Sequence, residues 1–358
     1  MAVTFHPLRV KKVVRETADC ISVLFDVPEE LKPAFVFKQG QNLTVRKSLD
    51  GQEVRRTYSI CASPLDDELR VAIKRIPEGI FSTYINQELR AGDILEVMPP
   101  QGRFFTEAHP SQAKMYVAFA AGSGITPILS IIKTILRTEP QSQFCLVYGN
   151  RTRGSIIFKT ELEALKNRFM DRLSIYHILS REKADAEILS GRIDAEKCRF
   201  LLEKVITPQA IDECFLCGPE SMIHDVRDVL LNAGVDSKKI HYELFYSAAG
   251  SKPKETAAQV PADDKQSALT VTLDGSAVQL TMGYHGESIL EAALRHGADL
   301  PFACKGGVCA TCRARLTHGQ VEMDVNYALE KDELDAGFIL TCQAHPRTPE
   351  VSVNFDIK

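Results

Sequence analysis

Residues 301–316 read PFACKGGVCATCRARL, and the cysteines in this stretch decide how the chain divides. Cys304, Cys309 and Cys312 form C-x4-C-x2-C, and Cys342 follows after 29 intervening residues, in LTCQAHP. Four thiolates supplied by one loop and one returning segment make a ligand set for a [2Fe–2S] cluster, since iron in that role favours soft sulfur donors. The bridging sulfides carry negative charge and need backbone N–H groups around them. Gly306, Gly307 and Ala310 have little or no side chain, so the backbone can curl close to them. A structural zinc is the alternative. Such sites usually pair two C-x2-C knuckles, and only one such pair occurs here.

Around the loop, ALTVTLDGSAVQLTM predicts a hairpin and ESILEAALRHG an amphipathic helix. The loop and its setting resemble the plant-type ferredoxins, a resemblance that covers residues 268–358 and implies a C-terminal α+β domain of β-grasp fold. Ahead of it, residues 247–267 (SAAGSKPKETAAQVPADDKQS) are rich in Ala, Pro, Lys, Asp and Ser, have almost nothing to bury, and predict a linker. Charge divides at the same place. From Ala268 to Lys358 there are 7 Lys and Arg against 12 Asp and Glu, while the rest of the chain carries 36 against 35. An acidic domain on a neutral body suits either a docking surface or an ordinary solvated face.

Before the linker, two styles of sequence succeed one another. Residues 1–109 hold short β-rich runs punctuated by Gly and Pro, with FSTYINQEL as the one helical stretch, and predict a small antiparallel β-barrel. Residues 110–246 alternate apolar strands with amphipathic helices, as in MYVAFAA followed by PILSIIKTILRT, and predict an α/β domain on a parallel sheet. In the first region, Arg56, Tyr58 and Ser59 of RTYSI resemble the R-x-Y-S signature of the ferredoxin–NADP reductase family. That resemblance implies FAD: Arg56 on a flavin phosphate, Tyr58 on the ring system and Ser59 near N5. It also puts Gly79 and Ser82 at a helix start that offers N–H and O–H groups to phosphate. A branch with the same domain order uses FMN, which is the alternative.

In the second region, Gly122, Gly124, Thr126 and Pro127 form G-x-G-x-T-P between a strand and a helix. A glycine turn at that place lets backbone approach a pyrophosphate attracted by the helix end. In the same family this turn carries the nicotinamide nucleotide. Ser180 and Arg181 follow the strand LSIYHIL, and a hydroxyl with a guanidinium suits a 2′-phosphate; Arg151 of YGNR lies nearby, and together they point to NADPH. The neighbouring Glu182 argues the other way, so NADH stays open. The resemblance further implies that Cys217 and Gly218 of CGPESM stand beside the nicotinamide, and that Glu243 and Phe245 of HYELF stand beside the flavin. Cys20, Cys61, Cys145, Cys198 and Cys214 are expected to be packing residues.

The order of these parts resembles the reductase components of multicomponent oxygenases, which implies electron flow from NADPH through FAD and the cluster to a separate, di-iron oxygenase component. An oxygenase of another kind is a second possible acceptor, and a non-catalytic redox sensor is an alternative of another class. A net charge of −4 over 358 residues argues against nucleic acid as a partner. No apolar run approaches the ~18 residues of a membrane span. The start MAVTFHPLRVKK shows no export signal, so ten cysteines suggest a reducing, cytoplasmic setting.

Overall fold

The computed structural model describes residues 4–183, 186–245 and 265–357. Of the expected linker, 247–264 lie outside the described residues. The first described strand after it begins at Gln266, slightly earlier than the expected domain start.

The N-terminal region builds one antiparallel sheet from β1 (His6–Thr17), β2 (Cys20–Asp26), β3 (Asn42–Leu49), β4 (Gln52–Ser59), β5 (Leu69–Lys74) and β6 (Ile94–Val97), with helix α1 (Ile80–Gln87) between the last two. Strand order is β4-β3-β6-β1-β2-β5. The sheet closes on itself where Ile60 bridges Val71 and the Cys61 amide donates to the Arg70 carbonyl at 2.8 Å. Strand β4 starts earlier than the sequence suggests, because Asp50 and Gly51 both take positive φ (51° and 77°) and turn the chain straight back.

A five-stranded parallel sheet follows. Its strands are β7 (Met115–Ala121), β8 (Gln143–Asn150), β9 (Leu173–Leu179), β10 (Glu213–Gly218) and β11 (Ile240–Leu244), in the order β11-β10-β7-β8-β9. Helices α2 (Ile125–Thr138), α3 (Lys159–Arg168), α4 (Ala195–Lys204) and α5 (Glu220–Asn232) connect them. Tyr116 to Ala120 are all fully buried, as a central strand covered on both faces requires. Helix α4 has no clean apolar stripe, burying only Cys198 and Leu201, which is why the sequence does not reveal it.

Charged and polar contacts tie the barrel to this sheet. Arg70 on β5 bonds both oxygens of Glu161 on α3 at 2.9 Å, and Lys133 on α2 bonds Glu161 at 2.9 Å. Lys133 and Arg137 also pair with Asp66. The Ser130 hydroxyl on α2 donates to the Ala62 carbonyl at 2.5 Å.

The C-terminal region has a mixed sheet, order β13-β12-β18-β14-β16, from β12 (Gln266–Leu273), β13 (Ser276–Gly283), β14 (Arg313–His318), β16 (Phe338–Leu340) and β18 (Glu350–Asn354). A second ladder pairs β15 (Val321–Met323) with β17 (Ala344–Pro346). Helix α6 (Ile289–Arg295) buries Ile289, Leu290, Ala292 and Ala293, and α7 (Lys331–Asp335) precedes β16. The β12–β13 turn is again Asp-Gly, Asp274 and Gly275 having φ of 50° and 72°.

By their contacts the residues fall into two compact units. One takes Pro7–Val45 with Tyr58–Phe245; the other joins the N-terminal residues and Arg46–Thr57 to the C-terminal domain. Among the described residues no helix is long and apolar enough to cross a membrane.

Candidate functional site: a cysteine loop and a sheet-end cluster

The cysteine loop lies between α6 and β14. Lys305, Gly307 and Ala310 take positive φ (52°, 75° and 51°), so the backbone coils with its amides turned inward. The Gly306 amide donates to Cys304 Sγ at 3.3 Å. A Cβ added at Gly307 would come within 3.1 Å of Val325 and 3.3 Å of Gln343, so a larger residue would press on both. Gln343 bridges the loop to the returning segment, its Nε2 donating to the Lys305 carbonyl at 2.9 Å and reaching Cys342 Sγ at 3.7 Å. The buried Thr341 hydroxyl donates to the Cys312 carbonyl at 2.9 Å and keeps Cys342 beside Cys312.

The four thiols pair two by two. Cys309 lies against Cys304 and Cys312 against Cys342; this pairing, with backbone N–H donors, holds the Cys304 and Cys342 thiols below their ordinary value. Their partners are held well up, first by the same pairing and then by burial. Two thiol pairs set in a shell of amides suit two irons bridged by sulfide better than one tetrahedral zinc. The residues fit a [2Fe–2S] cluster.

The second cluster of side chains forms where the parallel sheet meets the barrel. Ser59, at the end of β4 and 3% exposed, donates its hydroxyl to Glu243 Oε2 at 2.8 Å. Asn42 Nδ2 reaches Glu243 Oε1 at 3.5 Å. Burial raises the Glu243 carboxyl to about 7, against the opposing hydrogen bonds from Ser59 and Asn42. Glu243 on β11 is in register with Cys217 on β10, which is fully buried and whose thiol burial pushes well up. A carboxyl poised near neutrality can take or release a proton, whereas the Cys217 thiol stays protonated.

The glycine turn packs directly on this cluster. A Cβ on Gly124 would fall 2.0 Å from the Cys217 carbonyl oxygen, and one on Gly218 would fall 3.2 Å from Ala121. The close approach therefore needs glycine. Gly122 has φ 54°, and its carbonyl accepts from the buried Tyr148 hydroxyl at 2.9 Å. Thr126, expected to reach the nucleotide, is 2% exposed and donates its hydroxyl to the Ser123 carbonyl at 3.0 Å, so here it fastens the turn. Ser82 behaves likewise. Its hydroxyl accepts from the Ile76 amide at 3.1 Å and donates to the Gly79 carbonyl at 3.2 Å, closing the loop that starts α1. Tyr58 stacks on Phe81 of that helix, with centroids 6.1 Å apart. Phe245 is 39% exposed. Arg56 is exposed and donates to the Arg55 carbonyl at 2.7 Å.

At the ends of β8 and β9, Arg151, Ser180 and Arg181 are all exposed and adjacent, the Arg181 amide donating to the Arg151 carbonyl at 2.8 Å. Glu182 is held elsewhere: it accepts from the Arg153 amide at 2.8 Å and pairs with Arg153 Nε at 3.2 Å. Arg153 and Asn42 escaped the sequence reading. Neither left a signal in the sequence: Asn42 begins a strand, NLTVRKSL, that is already mixed polar and apolar, and Arg153 lies in a polar turn.

Residues 7–106 match the oxidoreductase FAD-binding domain family, 119–228 the oxidoreductase NAD-binding domain family and 271–347 the 2Fe–2S iron–sulfur cluster binding domain family. A 1,2-phenylacetyl-CoA epoxidase component from Escherichia coli K12 is 47% identical over 355 residues, 99% of each chain. The ferredoxin reductase component of the 3-ketosteroid-9-alpha-monooxygenase of Rhodococcus rhodochrous is 34% identical, over 97% of this chain and 96% of its own. Among solved structures, phthalate dioxygenase reductase superposes with a TM-score of 0.61 at 22% identity, covering 98% of both chains. An intact type IV self-sufficient cytochrome P450 monooxygenase gives 0.70 at 19% identity, where this chain spans 98% of its own length and 41% of that protein. The fold is thus shared with both. With three domain matches in succession and near end-to-end relatives, this chain belongs to the family of oxygenase reductase components that join FAD-binding, NAD-binding and 2Fe–2S domains on one polypeptide.

Proposed function

We propose that this chain is the reductase of a phenylacetyl-CoA epoxidase system in aerobic phenylacetate breakdown, drawing electrons from NADPH and delivering them to a separate di-iron oxygenase component. The observation that carries the choice of acceptor is the 47% identity, over 99% of each chain, to a component of such an epoxidase. Ten free thiols support a reducing, cytoplasmic setting.

When bound, a flavin takes a hydride's two electrons together and releases them singly, and a [2Fe–2S] cluster accepts one at a time. The chain's own residues bind and orient. Gly122 and Gly124 bring backbone close to the nucleotide, with Thr126 holding the turn in shape. Cys217 and Gly218 would stand beside the nicotinamide. Arg56, Tyr58, Gly79 and Ser82 would hold the flavin, the last two by shaping the helix start. Ser59 and Glu243 would hold a proton for the flavin, at the Glu243 carboxyl, and Phe245 would pack beside it. Cys304, Cys309, Cys312 and Cys342 hold the irons, and the inward amides stabilise their sulfurs.

The choice of NADPH over NADH is supported by Glu182. This carboxylate would repel a 2′-phosphate, but it is already paired with Arg153. Among the described residues, the Arg151 and Arg181 guanidiniums have no ion-pair partner and stand available beside Ser180. Arg181→Ala should raise KM for NADPH about tenfold and leave KM for NADH within about twofold; equal changes would remove the case for a 2′-phosphate site. The acceptor is tested by turnover of phenylacetyl-CoA with NADPH, this reductase and purified epoxidase oxygenase component. Failure to support acyl-CoA consumption there, with success alongside a ring-hydroxylating dioxygenase, would overturn it.

A further inference from the structure

Arg55 is only 7% exposed, although it lies on a hairpin and carries a charge. Its Nε donates to Glu53 Oε1 at 2.7 Å. Its guanidinium carbon lies 4.0 Å from the centroid of Phe302 and 5.1 Å from that of Phe5. Phe302 stands two residues before the cluster ligand Cys304, and Lys305 Nζ sits 5.0 Å from the same ring. Arg46 lies over Phe5 at 4.1 Å and pairs with Glu53 at 3.3 Å. The hairpin segment Arg46–Thr57 and the cluster domain belong to one compact unit.

We propose that Arg55 is a positioning residue that seats the cluster loop on the flavin hairpin by clamping Phe302. The proposal rests on the electron path described under Proposed function. A buried guanidinium is costly unless its charge and its flat faces are both satisfied. Glu53 meets the charge, and two phenyl rings meet the faces, where the cation is drawn to the ring quadrupole. Withdrawing Phe302 would bare one face of Arg55 to water along with the ring itself, so the contact favours the seated arrangement from both sides. Arg56, the next residue, is the expected flavin-phosphate ligand, and Cys304 follows Phe302 closely. One contact therefore ties the segment expected to hold the electron donor to the segment that holds the acceptor. Electron transfer falls steeply with separation, which gives such a tie a rate to control.

The test is anaerobic stopped-flow reduction of the holoenzyme by NADPH, with flavin and cluster bleaching followed separately, alongside small-angle scattering of the same samples. Arg55→Ala and Phe302→Leu, compared at equal flavin and iron content, should each slow cluster bleaching about tenfold while flavin bleaching stays within about twofold. Leucine keeps apolar volume next to the loop but has no ring face, and Phe302→Trp, with a stronger face, should match the wild type. Scattering should show a broader distance distribution for the two slow variants and not for Phe302→Trp. Cluster bleaching within about twofold of wild type in both variants would overturn the clamp and leave the electron path standing. A wild-type cluster that never bleaches while its flavin does would sink the path itself, and this proposal with it.

Discussion

The cysteine loop and the sheet-end cluster both gather chemically active side chains, but by opposite means. Three of the four cysteines expected to hold the cluster lie within nine residues of sequence, and positive-φ turns at Lys305, Gly307 and Ala310 shape the backbone there locally. The sheet-end cluster draws Asn42, Ser59, Gly124, Cys217 and Glu243 from five separate elements, and only strand register and packing bring them together. Local sites are therefore fixed by the chemistry of a few residues. Long-range sites are fixed by whatever holds the elements in place.

The largest effect should come from breaking the local site. Cys309→Ala removes one ligand of the Cys304–Cys309 pair, and cluster iron should be lost outright. Reduction of cytochrome c by NADPH should vanish with it. Reduction of ferricyanide, which flavin can perform alone, should survive. Equal survival of both activities would show that electrons do not pass through the loop.

Breaking the long-range site needs no change to any reactive group. Gly124→Ala places a Cβ 2.0 Å from a backbone carbonyl of a neighbouring strand, where no flexible side chain can yield. The strain should cost about 3 kcal/mol of stability. Because Gly124 belongs to the glycine turn, NADPH oxidation should fall sharply while iron and flavin content persist. A folded variant with wild-type KM for NADPH would mean that the turn does not carry the nucleotide.

The same contrast explains what could be read in advance. The cysteine spacing, the alternation of strand and helix, and the barrel's turn-punctuated strands are local patterns, so the fold class and the presence of a 2Fe–2S domain were legible. The bond between Ser59 and Glu243 was not, because 184 residues separate them and neither neighbourhood names the other. The fastening roles of Thr126 and Ser82 were hidden for a related reason. A hydroxyl at a helix start can face a ligand or its own backbone, and only coordinates tell which. The pairing of Glu182 with Arg153 was equally invisible, since no sequence pattern links the two.

Glu243 offers a pH-dependent way to sharpen the comparison. Its folded value, about 7, lies above the ordinary 4.5, so the folded state binds the proton more tightly than the unfolded chain. The stability that this gives is complete at acid pH and is lost as pH rises through about 7. Between about pH 4.5 and pH 7.5 the wild type should lose about 2 kcal/mol relative to Glu243→Gln, which carries no titrating proton. Urea unfolding at several pH values measures this directly, and parallel curves for the two proteins would show that the carboxyl is not strained by burial.

The smallest effect returns to the local side. Ser288 caps α6, its hydroxyl accepting from the Glu291 amide at 3.3 Å while Glu291 reaches back to the Ser288 amide at 3.4 Å. The Leu290 amide on that helix donates to the Thr341 carbonyl at 3.0 Å, next to Cys342. Ser288→Ala should cost about 1 kcal/mol by freeing helix-end amides that the hydroxyl satisfied. If the cysteine loop is built by its own turns, its absorbance and iron content should not change, since the cap lies outside it. A cluster lost on so mild a change would mean that α6 aims Cys342 through Thr341, and that the loop depends on distant packing as the sheet-end cluster does.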